Sequence, residues 1–179
     1  HILERARLIF ATSEKESNEI KLITTNRNIF VISNFGQTNL VNPREISSFR
    51  SGPITFGFLG RIQKVKNIHG FLEALIKTQE QHGILSAVKI AGPIEDPVYM
   101  SDLKDICASY LGSVNFLGEL DSCEKKDFFE AIDVLFLPSF TENFGNVVVE
   151  ALSHSVPVLV SDKTPWTDVE ENSVGWVSS

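Results

Sequence analysis

Short runs of Val, Ile, Leu and Phe alternate along the chain with longer stretches whose apolar residues recur every three or four positions. The runs at Leu8–Thr12, Ile29–Ser33, Thr55–Leu59, Ala87–Ala91, Val114–Leu117, Val134–Leu137, Val156–Val160 and Val174–Val177 predict strands. Between them, Ile68, Phe71, Leu72, Leu75 and Ile76 predict a helix with one buried face. Leu103, Ile106, Cys107, Tyr110 and Leu111 repeat that stripe. Asp121 with Glu124 three residues on has the form of a capping box, opening a helix that carries Phe128, Phe129 and Ile132. The strands are apolar throughout rather than at alternate positions, so both of their faces must be covered. Their alternation with helices predicts an α/β fold built on a Rossmann-like, doubly wound parallel sheet.

In such a sheet ligands sit beyond the carboxyl ends of the strands. The positions that matter are therefore Gly60-Arg61, Gly92-Pro93, Gly118-Glu119, Pro138-Ser139 and Ser161-Asp162. Glycine there lets a ligand approach the backbone, and it equally serves the geometry of a strand-to-helix turn. Both readings stay open from sequence alone.

Residues 1–28 have a different character. Ser13 and Glu16 suit the start of a short helix, and residues 24–28 form a polar loop. They read as the tail of a preceding domain plus a crossover linker, leaving residues 29–179 as the sheet domain. The chain opens at His1, its single methionine is Met100, and its last apolar run stops near Ser179 like an unfinished strand. We therefore expect a piece of a longer protein, truncated at its C-terminus as well.

Composition narrows the function. With 179 residues, 42% of them apolar, the chain can build one full core. The net charge of -7 argues against a general nucleic-acid binder, which needs a basic face. Any anionic ligand must be held by a few placed cations and backbone N–H groups. No apolar run approaches the roughly 20 residues of a membrane-spanning helix, and the opening residues lack the pattern of a secretory signal. Cys107 and Cys123 lie in unrelated segments without metal-ligand spacing and are expected to be reduced thiols of a cytosolic protein.

Two stretches carry candidate chemistry. In PSFTENFGNVVVEALSHSVPVLVSD (residues 138–162) a strand ends, a polar loop follows and a helix begins near Gly145. The first turn of that helix leaves N–H groups unpaired beside the positive end of its dipole, which suits an anion. Glu142 precedes the helix and Glu150 lies about a turn and a half inside it; carboxylates so placed accept hydrogen bonds from sugar and ribose hydroxyls. Taken singly, they read as well as a loop carboxylate and a solvated helix residue. In GFLGRIQKVKN (residues 57–67), Gly60 ends a strand, and Arg61 and Lys66 stand five apart across the turn. Two cations there can clamp a diphosphate, or simply be solvated. His1 and His82 carry no site signal, His69 beside an apolar stripe reads as a surface or packing residue, and His154 follows the glutamate helix where a cation suits the dipole. Trp166 and Trp176 read as packing residues, with lining of the acceptor side as the lesser alternative for Trp166.

Together these stretches resemble the C-terminal domain of glycosyltransferase family 4, a GT-B group of retaining transferases. The resemblance covers roughly residues 29–179. Its glutamate pair appears as Glu142 and Glu150 in ENFGNVVVEAL, and its G-R-x-x-x-x-K as Gly60, Arg61 and Lys66. The N-G near the domain crossover is replaced by Asn34-Phe35-Gly36, and the tail TPWTDVEENSVGW is similar to bacterial capsule, O-antigen, lipopolysaccharide or exopolysaccharide members. Glycine is common in the family where this chain has Asn67 and Ser155.

The resemblance implies a nucleotide-diphosphate sugar as donor, a UDP-sugar or GDP-sugar, with no cofactor and no metal. Arg61, Lys66 and Glu142 would carry the transfer: the cations on the diphosphate, Glu142 on the hydroxyls of the transferred sugar. Glu150 would hold the ribose, Gly60 would line the turn, and the backbone of Asn143, Phe144, Gly145 and Asn146 would meet sugar or phosphate. The base would lie near Gly118, Glu119 and Leu120. A glycan or lipid-linked acceptor would bind mainly to a missing N-terminal domain, with no nucleic acid partner. That domain would also bring the parent to the inner face of the cytoplasmic membrane, and the piece alone would be inactive. Two rival readings remain: a nucleotide or nucleotide-sugar binding module without transfer, and a GT-B-fold relative such as a nucleotide-sugar epimerase or a phosphorylase.

Overall fold

A computed structural model describes residues 2–32 and 52–179. The first segment holds α1 (Ile2–Arg5), β1 (Ile9–Ala11), α2 (Glu14–Ile23) and β2 (Ile29–Val31), with β1 and β2 paired in parallel. The second alternates strand and helix: β3 (Thr55–Leu59), a 3-10 turn (Lys64–Lys66), α3 (Ile68–His82), β4 (Ala87–Ala91), α4 (Pro97–Cys107), β5 (Ser113–Gly118), α5 (Ser122–Glu130), β6 (Val134–Leu137), α6 (Asn146–Ser153), β7 (Val158–Ser161) and β8 (Gly175–Ser178). The motif at Asn34-Phe35-Gly36 lies outside the described residues.

The six strands β3 to β8 form one all-parallel sheet in the order β5-β4-β3-β6-β7-β8. The chain starts in the middle, winds outward to β5, then crosses back to lay β6 against the other side of β3. That reversal opens a crevice between the carboxyl ends of β3 and β6, the place where doubly wound sheets bind ligands. The fold is the Rossmann-like one that the sequence predicts.

The core explains why the middle strands carry so much Phe and Leu. All four residues of β6 are buried, as continuous apolar strands covered on both faces must be. Phe58 of β3 and Phe136 of β6 lie side by side with centroids 5.6 Å apart, and Phe71 of α3 stacks on Phe136 at 3.8 Å. On the other face Gly57 makes room for the end of α5. A Cβ built at Gly57 would stand 2.5 Å from Ile132 Cδ1 and 2.8 Å from Phe128 Cζ.

Two elements depart from the pattern read in sequence. The stripe running to Leu111 predicts a longer α4, but the helix stops at Cys107. Ser109 Oγ bonds back to the Ile106 carbonyl, a local alternative to helical pairing. Tyr110 is buried for another reason: its hydroxyl accepts from Ser86 N and donates to Ser86 O, tying the chain beside β4. Leu111 is left 78% exposed. Likewise β7 begins at Val158, not Val156, because α6 ends in a Schellman motif. The Ser155 N–H donates to the Leu152 carbonyl and the Val156 N–H to the Ala151 carbonyl, with Ser155 left-handed at φ 56°. Pro157, which has no N–H to give a ladder, then leads into the strand.

The capping box at Asp121 and Glu124 is present in full. Ser13 caps α2 by accepting from the Glu16 N–H. Glu16 itself reaches one residue further back, to the N–H and hydroxyl of Thr12. Cys107 and Cys123 are free thiols, and burial pushes the Cys107 thiol up.

Candidate functional site

The carboxyl ends of β3, β4 and β5 are stitched into a row. The Gly60 N–H donates to the Ala91 carbonyl and the Gly92 N–H to the Gly118 carbonyl, at 3.0 and 2.7 Å. The two readings of these glycines now separate. Gly92 is needed by the fold, since a Cβ there would run into the Gly60 carbonyl. Gly118 is left-handed at φ 77° with no atom within 4 Å of where its Cβ would be, so the surface beside Gly118-Glu119-Leu120 is open.

On the other side of the crevice the turn after β3 is fastened to the end of β6. The Phe140 N–H donates to the Val65 carbonyl at 2.9 Å, and Asn67 Nδ2 to the Pro138 carbonyl at 3.2 Å. Asn67 is left-handed at φ 52°, a conformation that Asn tolerates better than most residues. Both positions where the family commonly has glycine, Asn67 and Ser155, thus carry positive φ.

This fastening delivers Lys66 to Glu142. Lys66 Nζ lies 2.5 Å from Glu142 Oε2, with side chains only 12% and 15% exposed. Fully buried Ser139 places its hydroxyl 3.5 Å from the same oxygen. Immediately beyond, Gly145 at φ 78° starts α6 without a side-chain cap. A Cβ on Gly145 would approach Glu142 Cγ and Leu137 Cδ2 to 3.2 Å. Glycine therefore lets the polar loop fold tightly against the helix start, leaving first-turn N–H groups of α6 beside a lysine and a carboxylate. From the loop after β7, Trp166 packs its ring 5.2 Å from Phe144 and donates its Nε1–H to the Phe144 carbonyl, fixing the loop's outer side.

The remaining expected residues lie at the margins. Arg61 pairs with Glu95 at 3.1 Å and is well exposed, rather than joining Lys66. Glu150 faces α5, where Lys125 Nζ lies 3.3 Å from its Oε2. Since Lys125 is in the helix that follows Gly118-Glu119-Leu120, the Glu150 pair borders the open surface by the end of β5. Asn143, Phe144 and Asn146 line the loop and first turn of α6. His69 is a packing residue: its backbone N–H donates to the Tyr99 hydroxyl, which also meets its ring Nδ1 at 2.9 Å. Glu95 and Lys125 carry no signal in the sequence as partners of Arg61 and Glu150, whereas Ser139 is one of the strand-end positions singled out above and Trp166 fixes the loop beside Glu142.

Among the described residues, no group of three or more His, Cys, Asp or Glu side chains converges in a way that could hold a metal ion. Nor is any helix among them long and apolar enough to cross a membrane.

An all-parallel sheet with its crevice at the β3–β6 reversal, and a lysine, a carboxylate and a helix start gathered there, defines a doubly wound, Rossmann-like α/β protein with a polar site at its switch point. The chain belongs to the glycosyl transferases group 1 family, whose model matches residues 42–178. It is 30% identical over 125 residues to an uncharacterized glycosyltransferase of Methanocaldococcus jannaschii, a match covering 67% of this chain and 30% of that protein. It is 28% identical over 114 residues to a glycogen synthase of Mycobacterium tuberculosis, covering 63% of this chain and 27% of that one. The match thus spans less than a third of the length of either relative. Among solved structures it is similar to Anabaena HepE in complex with UDP, with TM-score 0.78 and 22% identity, over 97% of this chain and 50% of that one. The same Anabaena protein has been solved with UDP-glucose. At that identity the likeness shows the fold, that of the GT-B glycosyltransferases.

Proposed function

We propose that this chain is the donor-binding half of a retaining glycosyltransferase of family 4, which moves a sugar from a nucleotide-diphosphate sugar to a glycan or lipid-linked acceptor in cell-surface polysaccharide synthesis. The observation that carries the reading is the Lys66–Glu142 pair, held at the sheet's reversal point in front of the uncapped start of α6.

Glycosyl transfer builds positive charge on the sugar and negative charge on the departing diphosphate. Fixed donors that already point at the diphosphate lower that barrier most. Lys66, Arg61 and the N–H groups around Gly145 and Asn146 supply such donors without a metal. When donor arrives, Lys66 exchanges the Glu142 carboxylate for a phosphate oxygen, and Glu142 turns to the hydroxyls of the transferred sugar. Arg61, exposed in its pair with Glu95, exchanges that carboxylate for the diphosphate from the solvent side. Glu150 accepts from the ribose hydroxyls, with Lys125 beside it. The base rests against the backbone of Gly118, Glu119 and Leu120. The complexes of the Anabaena protein with UDP and UDP-glucose favour a uridine donor over a guanosine one. An acceptor-binding partner domain completes the site by closure, so the chain alone binds donor without transferring it. The parent works in the cytoplasm, against the inner membrane face through that domain.

The test is a calorimetric titration with UDP, GDP, ADP and their sugar conjugates, with and without chelator, on the wild type, Arg61→Ala and Glu150→Ala. One nucleotide should bind saturably, weakened by both substitutions and unchanged by chelator. Retention of affinity in both variants would overturn the assignment.

A further inference from the structure

Lys15 sits where helix electrostatics disfavours it. It is the second residue of α2, whose N-terminus is set by the Ser13 cap and by Glu16 on Thr12. A cation in the first turn meets the positive end of the helix dipole, so the helix itself, apart from its acidic neighbours Glu14 and Glu16, does not favour it there, and its partners lie outside the helix. Those partners are a pair of loops at the proposed donor site. Lys15 is half-buried, and its Nζ donates to Thr141 Oγ1 at 3.2 Å and to the Lys163 carbonyl at 3.0 Å. Thr141 directly precedes Glu142 in the loop between β6 and α6. Lys163 lies in the loop after β7, three residues before Trp166, whose indole N–H holds the Phe144 carbonyl. That second loop is itself folded: the Lys163 N–H donates to Ser161 Oγ, and Thr164 Oγ1 to the Ser161 carbonyl. One ammonium group therefore ties together the two loops that flank the start of α6, and ties both to the segment preceding the sheet domain.

We propose that Lys15 is a positioning residue of the donor site: it sets the loops carrying Glu142 and Trp166 and couples their order to the placement of α2. The inference rests on the donor reading above. Two clamped loops bring Glu142 and the α6 N–H groups to one geometry before the donor arrives, which removes an ordering cost from binding. The cost saved belongs to the sugar end, since Thr141 and Phe144 border Glu142, while the nucleotide end rests on Glu150 and β5. A lysine acting only as a rim charge would favour every anionic ligand alike.

The experiment has two arms, each on wild type, Lys15→Met and Lys15→Arg. In the first, amide hydrogen exchange of the unliganded chain is followed at Phe140, Lys163 and Thr164, whose N–H groups are hydrogen bonded. In Lys15→Met these should exchange about fivefold faster, the factor for losing about one net hydrogen bond. Amides of β3 and β4 should be unchanged, and Lys15→Arg should restore most of the protection. Equal exchange in all three proteins, or a uniform rise accompanied by a lower melting temperature, would overturn the proposal. In the second arm UDP and UDP-glucose are titrated. Affinity for UDP-glucose should fall about fivefold in Lys15→Met and that for UDP less than twofold; equal losses mean a rim charge and overturn it. If the wild type binds neither probe, the donor reading fails, and the exchange arm still decides whether Lys15 positions these loops.

Discussion

Lys66 and Glu142, 76 positions apart in sequence, meet at 2.5 Å with little solvent around either side chain. A pair so enclosed loses much of its hydration, and the attraction between the charges repays that loss only while both partners remain. Lys66→Met or Glu142→Leu alone should each cost about 1–3 kcal/mol, below the fully buried case because both groups still touch water. The double variant should be within about 1 kcal/mol of wild type, since no charge is left stranded. Urea unfolding of the four proteins measures this cycle; additive losses would show that the two residues do not depend on each other. A stable double variant that no longer binds donor would separate the role of the pair in function from its role in folding.

Gly57 tests the packing of α5 independently of the site. Ile132 and Phe128 are buried and cannot back away from an added methyl group without opening the core. Gly57→Ala should therefore cost about 1–3 kcal/mol by overpacking and lower the melting temperature, while donor affinity at temperatures where it stays folded is kept. A neutral result in thermal denaturation would mean that the end of α5 is loosely seated.

Much of this architecture is legible in the amino-acid sequence. The central strands β3, β6 and β7 announce themselves as apolar runs, while the edge strands β5 and β8 alternate in burial, and period separates α3 from β3. The site was partly legible, because Glu142, Lys66 and Gly145 fall just after strands whose ends must converge in a doubly wound sheet. What period cannot report is which partner a long side chain chooses. Arg61 turns to Glu95 and Glu150 to Lys125, and both partners come from elements distant in sequence. The overextended stripe at Tyr110 fails for a related reason. Its burial is earned by hydrogen bonds to Ser86, not by a helix face.

Asn67 does two jobs, so its variants should rank. It holds a left-handed backbone at φ 52° and donates its side-chain amide to the Pro138 carbonyl. Gly70 leaves space for that amide, since a Cβ there would stand 2.7 Å from Asn67 Oδ1. Asn67→Gly keeps the backbone and loses the bond, costing about 0.5–1.5 kcal/mol. Asn67→Ala loses the bond and adds left-handed strain, for about 1.5–3 kcal/mol in all. Chemical denaturation gives the order Asn, Gly, Ala; alanine equal to glycine would remove the conformational part of the account.

The start of α2 should show a defined acid response. The Thr12 hydroxyl and N–H both donate to Glu16 at 2.6 Å, and they hold its carboxyl below the usual glutamate range. The folded pKa therefore lies below the unfolded one, so the carboxylate stabilises the fold above the unfolded value. That contribution fades as pH falls through the folded value, where both states are protonated. Glu16→Gln lacks the titrating group. Its deficit against wild type should be constant from neutral pH down to the ordinary glutamate range and shrink below it. Urea midpoints of the two proteins at a series of acid pH values measure the deficit. A gap that stays the same, or widens, on acidification would mean that Thr12 does not favour the ionised form.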